Sequence, residues 1–143
     1  HSETGGSSDI EISAALIQEL IDEQTAKGIS HDRIILAGFS QGGVIALQLG
    51  LRLDKRIAGI VALSTYLHDA IKTEEQRHDA NLALPILMVH GTMDPMIPIM
   101  RAATSRENLI RLGYDVQWKD YPMGHQVCPE ELGDISAFLR SCL

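Results

Sequence analysis

Ile34-Ile-Leu-Ala-Gly-Phe-Ser-Gln-Gly-Gly43 holds the key to this chain. An apolar, β-branched run stops at Gly38, and a helix-like pattern resumes three residues later with one serine, Ser40, at the corner. The spacing Gly38-x-Ser40-x-Gly42 matches a strand-to-helix turn so tight that the serine backbone is strained, and both flanking positions are expected to leave little room for a Cβ. Such a turn lifts the Ser40 hydroxyl over the carboxyl end of a parallel sheet, at the positive N-terminus of the next helix. Gln41 would open that helix, with its backbone N–H aimed at the oxygen of a bound carbonyl.

An isolated Gly-x-Ser-x-Gly is more often a glycine-rich turn with a capping serine. The surroundings favour the other reading, since a strand pattern precedes the motif and an apolar helix, Val44 to Leu53, follows it. A phosphate loop would need Lys-Ser/Thr after the glycines, and a dinucleotide fold would need G-x-G-x-x-G; neither is present.

With 143 residues, 45% apolar and 22% charged, the chain is long enough for one domain with a mostly aliphatic core. A net charge of −7 argues against nucleic acid or an anionic membrane as partner. No apolar run approaches the roughly 18–20 residues of a membrane span, and no basic-plus-apolar signal segment opens the chain, so no integral membrane role and a cytoplasmic location are expected. Cys128 and Cys142 bracket the last helix pattern, which would hold them about 20 Å apart, so both read as free thiols. Neither they nor the six histidines show ligand spacing, and no metal is expected.

Outward from the corner, His1–Ser8 is Gly/Ser-rich and reads as a loop, with Asp9 able to cap an amphipathic helix from Ile10 to Lys27 that stops at Gly28. Strands are expected at Ile34–Ala37, Ile57–Leu63, Ile86–His90 and Val116–Tyr121. Helices are expected from Ile99 to Leu112, stopping at Gly113, and from Pro129 to Leu139 with Ile135 and Phe138 inward. Ser64–Leu84 is less regular; its charged half reads as a solvated connection with a short helix, and Tyr66-Leu67 as a candidate apolar substrate wall. The alternation predicts an α/β fold, a doubly wound, mostly parallel sheet with helices on both faces, in one domain without repeats.

A serine hydroxyl attacks nothing until a base takes its proton, and that base needs a third group to orient it. Where the chain order is Ser, then acid, then His, each on a loop after a strand, Asp94 and His125 are the candidates. His90, at the end of its strand, is expected to order the Asp94 loop by hydrogen bonding. His68 and His78 read as surface residues, and Asp115 and Asp120 lack a loop position.

At this point Ala37-Gly-Phe-Ser-Gln-Gly-Gly43, His90-Gly-Thr-Met-Asp-Pro95 and Tyr121-Pro-Met-Gly-His125 with Cys128-Pro-Glu130 resemble the phospholipase/carboxylesterase family of α/β-hydrolases, which includes acyl-protein thioesterases. The resemblance runs across nearly the whole chain. It implies Ser40 as nucleophile, Asp94 as orienting acid, His125 as base and the Gln41 amide in the oxyanion hole. It further implies short- or medium-chain acyl esters or thioesters as substrates, acylated protein among them, without metal or cofactor.

One departure stands out. The family's early strands, and a His-Gly-x-Gly-type segment that completes the oxyanion hole, have no counterpart here. The chain therefore resembles the C-terminal two-thirds of such a domain. Its first strand is expected to have an unpaired edge and an uncovered apolar flank, which invite association as a homo-oligomer, and activity on its own is expected to be weak. The competing reading is a noncatalytic or partner-dependent module that keeps the fold but lacks half of the oxyanion hole.

Overall fold

The computed structural model describes the chain from Glu3 and its side chains from Asp9; His1 and Ser2 lie outside the described residues. Helix α1 spans Glu3–Ala26, β1 Ile35–Phe39, α2 Gln41–Gly50, β2 Gly59–Leu63, α3 Ala70–Gln76, β3 Pro85–Gly91, α4 Ile99–Arg111, β4 Asp115–Tyr121 and α5 Pro129–Cys142. Short 3₁₀ turns sit at His31–Arg33 and Asp79–Asn81. The helix begins earlier than its apolar period suggests: Glu3–Ser8 is helical rather than loop, and Asp9 lies inside α1 instead of capping it. Once a helical turn exists, each residue added to it gains a hydrogen bond without repeating the cost of nucleation, which carries α1 through unfavourable Gly and Ser. At the other end Gly28, at φ 101, turns the chain out of the helix as expected.

The four strands are all parallel, in the order β1-β2-β3-β4. Gly38 and Phe39 still pair with Ala62 and Leu63, so β1 runs to the residue before Ser40. Alternate residues of the strands face opposite ways. Leu36, Ile60, Ala62, Ile86 and Met88 join a core with Ile21 of α1, Leu47 of α2 and Leu109 of α4. Val61, Leu63, Leu87 and Val89 turn to the other side, where Phe138 of α5 covers them. Helices therefore flank both faces of the sheet, and β2 and β3, covered twice, are unbroken apolar runs for that reason.

The irregular stretch after β2 is tied down by polar groups. Asp69 caps α3 by accepting from the Lys72 N–H at 3.0 Å. Fully buried Asn81 accepts from the Ile57 N–H at 2.9 Å and donates to the carbonyls of Leu53 and Lys55, clamping the turn that leads into β2. Because every strand is parallel, the loops after all four open at one edge of the sheet. Ser40, Tyr66, Asp94 and His125 all lie in those loops.

Candidate active site

Ser40 stands between β1 and α2 with φ 57 and ψ −119, a conformation that costs a non-glycine residue about 1–3 kcal/mol. Its neighbours over-determine it. The Ser40 N–H donates to the Leu63 carbonyl at 2.8 Å, extending the β1–β2 ladder by one rung. Its carbonyl accepts from the N–H groups of Gly43 and Val44, which starts α2, and from the Thr65 hydroxyl at 2.7 Å.

The glycines divide the work differently from the sequence expectation. A Cβ on Gly38 would lie 2.1 Å from the Gly42 backbone, and one on Gly43 would lie 2.5 Å from the Thr65 side chain. A Cβ on Gly42, by contrast, would meet nothing within 4 Å, because this position faces a groove rather than the strand. The crowded pair is thus Gly38 and Gly43. The groove, about 320 Å³, lies between α1, β1 and α2 and is lined by Leu16, Ile17, Leu36 and Ile45 among others.

Asp94 is buried at 6% exposure in the loop after β3. One carboxylate oxygen accepts from the backbone N–H groups of Met96 and Ile97 at 2.8 and 2.9 Å, and the other is 2.7 Å from His125 Nδ1. Burial pushes this carboxyl up, but the hydrogen bonds from Ile97, His125 and Met96 together outweigh it and hold Asp94 below its ordinary range. An ionised Asp94 accepts only, so His125 presents Nδ1–H to it and leaves Nε2 with a lone pair. That Nε2 lies 2.9 Å from Ser40 Oγ.

The loops that carry Asp94 and His125 are stitched together. Thr92 and Met93 donate from their N–H groups to the carbonyls of Tyr121 and Met123, and a Cβ on Gly91 would lie 2.3 Å from the Met123 carbonyl oxygen. His90, 1% exposed, donates through Nε2 to the Ile97 carbonyl at 2.7 Å and so braces the turn that holds Asp94, in the supporting position expected of it.

The remaining candidates fall as follows. Gln41 is the first residue of α2, directly after Ser40, where helix N–H groups lack an intrahelical partner. Leu67 packs against the core beneath α1, α2 and α4. Tyr66 is half-buried and carries the Arg101 guanidinium on its ring at 3.6 Å from the centroid, so one face of the expected apolar wall is occupied by a cation. Cys128 and Cys142 are free, and among the described residues no group of three or more His, Cys, Asp or Glu is arranged to hold a metal.

Three neighbours escaped the sequence reading. Phe39 lies against the His125 ring at 4.7 Å between centroids. Thr65 ties the loop after β2 to Ser40. Fully buried Glu131 closes a capping box with Cys128 at the start of α5, three residues after His125. Only the last had a local signal, the Cys128-Pro-Glu-Glu131 pattern at a helix start. Burial, and then nearby Asp134, push the Glu131 carboxyl up.

A parallel α/β sheet presenting a strained serine, a buried aspartate and a histidine on the carboxyl-end loops after its first, third and fourth strands has the architecture of the α/β-hydrolases. Residues 2–143 match the family described as Phospholipase/Carboxylesterase, and the chain belongs to that family. It is 43% identical over 141 residues to acyl-protein thioesterase 1 of Gibberella zeae, covering 94% of this chain and 58% of that protein. Against acyl-protein thioesterase 1 of Neurospora crassa the identity is 41%, over 92% of this chain and 55% of the relative. The chain therefore spans little more than half the length of these relatives. Among solved structures, esterase PE8 superposes with a TM-score of 0.84 at 30% identity, covering 98% of this chain and 63% of the esterase. SOBER1 of Arabidopsis thaliana superposes at 0.86 and 26%, covering 94% and 64%.

Proposed function

We propose that this chain carries the nucleophile, base and acid of a serine hydrolase that cleaves short- to medium-chain acyl esters or thioesters, acylated protein among them, through an acyl-enzyme on Ser40. The observation that supports this most is the continuous relay from Asp94 to His125 at 2.7 Å and from His125 to Ser40 at 2.9 Å. In this reading His125 Nε2 takes the Ser40 proton as Oγ attacks the carbonyl carbon. The imidazolium that forms is stabilised by Asp94, which stays ionised. The oxyanion develops beside the Gln41 N–H at the positive end of α2, where a fixed donor stabilises charge without reorganisation. His125 then protonates the departing alcohol or thiol, and water, activated by the same nitrogen, releases the acid and restores Ser40. The relatives' name, acyl-protein thioesterase, supports the thioester side, and the name of the esterase PE8 supports the oxygen-ester side.

The test is a fluorophosphonate probe followed by intact-mass measurement. One adduct mapping to Ser40, absent in Ser40→Ala, is the expected result. No adduct on the folded protein would overturn the hydrolase reading and leave the noncatalytic module.

A further inference from the structure

The segment after β2 is fastened at both ends. At one end the Thr65 hydroxyl donates to the Ser40 carbonyl at 2.7 Å, tying the segment to the nucleophile's own backbone. At the other, the Leu67 N–H donates to Ser105 Oγ at 2.8 Å, and that buried hydroxyl donates in turn to the Arg101 carbonyl at 3.0 Å. Tyr66, between them, is held against the first turn of α4, with the Arg101 guanidinium carbon 3.6 Å from its ring centroid.

This stack uses only the flat face of the guanidinium; its N–H groups point outward in the plane. Arg52 spends such groups on Gln76, Thr73 and the Gln48 carbonyl. Among the described residues exposed Arg101 has no comparable partner. Among the described residues the ion pairs are Arg111–Glu74 and the contacts of His90 and His125 with Asp94, and none involves Arg101. Among the described residues Arg111 is the one lysine or arginine in an ion pair, so what sets Arg101 apart is its seat on Tyr66, the sequence neighbour of Thr65, whose hydroxyl touches the nucleophile's carbonyl. Helix stability does not explain its place, because a cation in a first helical turn opposes the helix dipole and no acidic side chain of that turn offsets it.

We infer that Arg101, held flat by Tyr66, is a specificity residue that receives a carboxylate lying close to the scissile acyl bond of the substrate. A carboxylate meets the outward edge of a guanidinium through two parallel hydrogen bonds. Stacking on Tyr66 pre-orients that edge, so little side-chain freedom is lost on binding. The inference rests on the hydrolase reading for its substrate class.

The test pairs esters that differ only in charge. On the acyl side, para-nitrophenyl hemiglutarate is compared with para-nitrophenyl pentanoate; on the leaving-group side, the butyrate ester of para-hydroxybenzoate is compared with that of its methyl ester. Arg101→Gln is expected to lower the charged-to-neutral ratio of kcat/KM about tenfold for one of the pairs, through KM, the loss expected of one charge-assisted contact. The pair affected tells which side carries the carboxylate. Arg101→Glu should invert the preference, and Tyr66→Leu should lower it by less than Arg101→Gln. Unchanged ratios in Arg101→Gln for both pairs would overturn the assignment. Calorimetric titration of Ser40→Ala with the hemiglutarate and hydroxybenzoate esters, with and without Arg101→Gln, needs no turnover. An Arg101-dependent affinity there would stand even if Ser40 failed to label, and an affinity indifferent to Arg101 would sink the inference even if Ser40 labelled.

Discussion

At the scale of single residues, Asp94 is the group whose surroundings are most telling. Two backbone N–H groups and His125 hold its charge in a nearly dry site, so its ionised form is the one the fold prefers. In the proposed mechanism, replacing it by Asn would remove the charge that orients and stabilises the imidazolium, and a loss on the order of 10³–10⁴ in kcat is expected from ester assays of Asp94→Asn. The same residue links stability to acidity. A carboxyl whose folded pKa lies below its unfolded value of about 3.9 contributes stability above that value and loses it as pH falls through the folded one. Urea unfolding should therefore show the contribution of the Asp94 charge at neutral pH, with the difference between parent and Asp94→Asn shrinking in acid. Glu131 has the opposite sign. Its carboxyl is raised by burial, one of its oxygens has no hydrogen-bond partner, and ionising it costs the fold. Between the unfolded glutamate value of about 4.3 and the higher folded one, the native state binds the extra proton and stability falls as pH rises. The stability of Glu131→Gln relative to the parent should accordingly improve from pH 4 towards pH 7 in the same unfolding series.

At the scale of elements, the turn from β1 into α2 carries most of the geometric demand. Gly38 and Gly42 occupy equivalent places in the Gly-x-Ser-x-Gly pattern, yet only Gly38 sits against backbone. Gly38→Ala has no flexible side chain to push aside, and a loss above about 3 kcal/mol, or failure to fold, is expected in thermal unfolding. Gly42→Ala lies within a helix in open space and should change stability by no more than about 1 kcal/mol, in the favourable direction. Helix α1 offers a similar contrast. Ile21 is buried and Leu20, beside it, is 52% exposed. Truncating Ile21 to Ala should cost about 2–5 kcal/mol, and truncating Leu20 about 0.5 kcal/mol or less.

At the scale of the whole molecule, the two sheet edges differ. The outer strand β4 carries Asp115, Lys119 and Asp120, charges of the kind that discourage further pairing, whereas β1, Ile-Leu-Ala-Gly-Phe, carries none. Among the described residues β1 pairs only with β2, beside an apolar groove and an exposed row of Ile12, Leu16 and Leu20 on α1. The sequence by itself determined the alternation of elements, the strained serine and the order of acid and base along the chain, because period, glycine spacing and capping are local properties. It could not show that Gly43 rather than Gly42 is crowded, since Thr65 is 22 positions away and reaches it only through the β1–β2 pairing. Nor could it show Glu3–Ser8 as helix, where continuation of a long helix overrides weak local propensity. The stacking of Arg101 on Tyr66 was decided by the tertiary structure alone, and the meeting of Ser40 with His125 85 positions later, expected from chain order, takes its geometry from it. Parallel pairing brings the carboxyl ends of distant strands to one edge, and such contacts leave no trace in the local sequence.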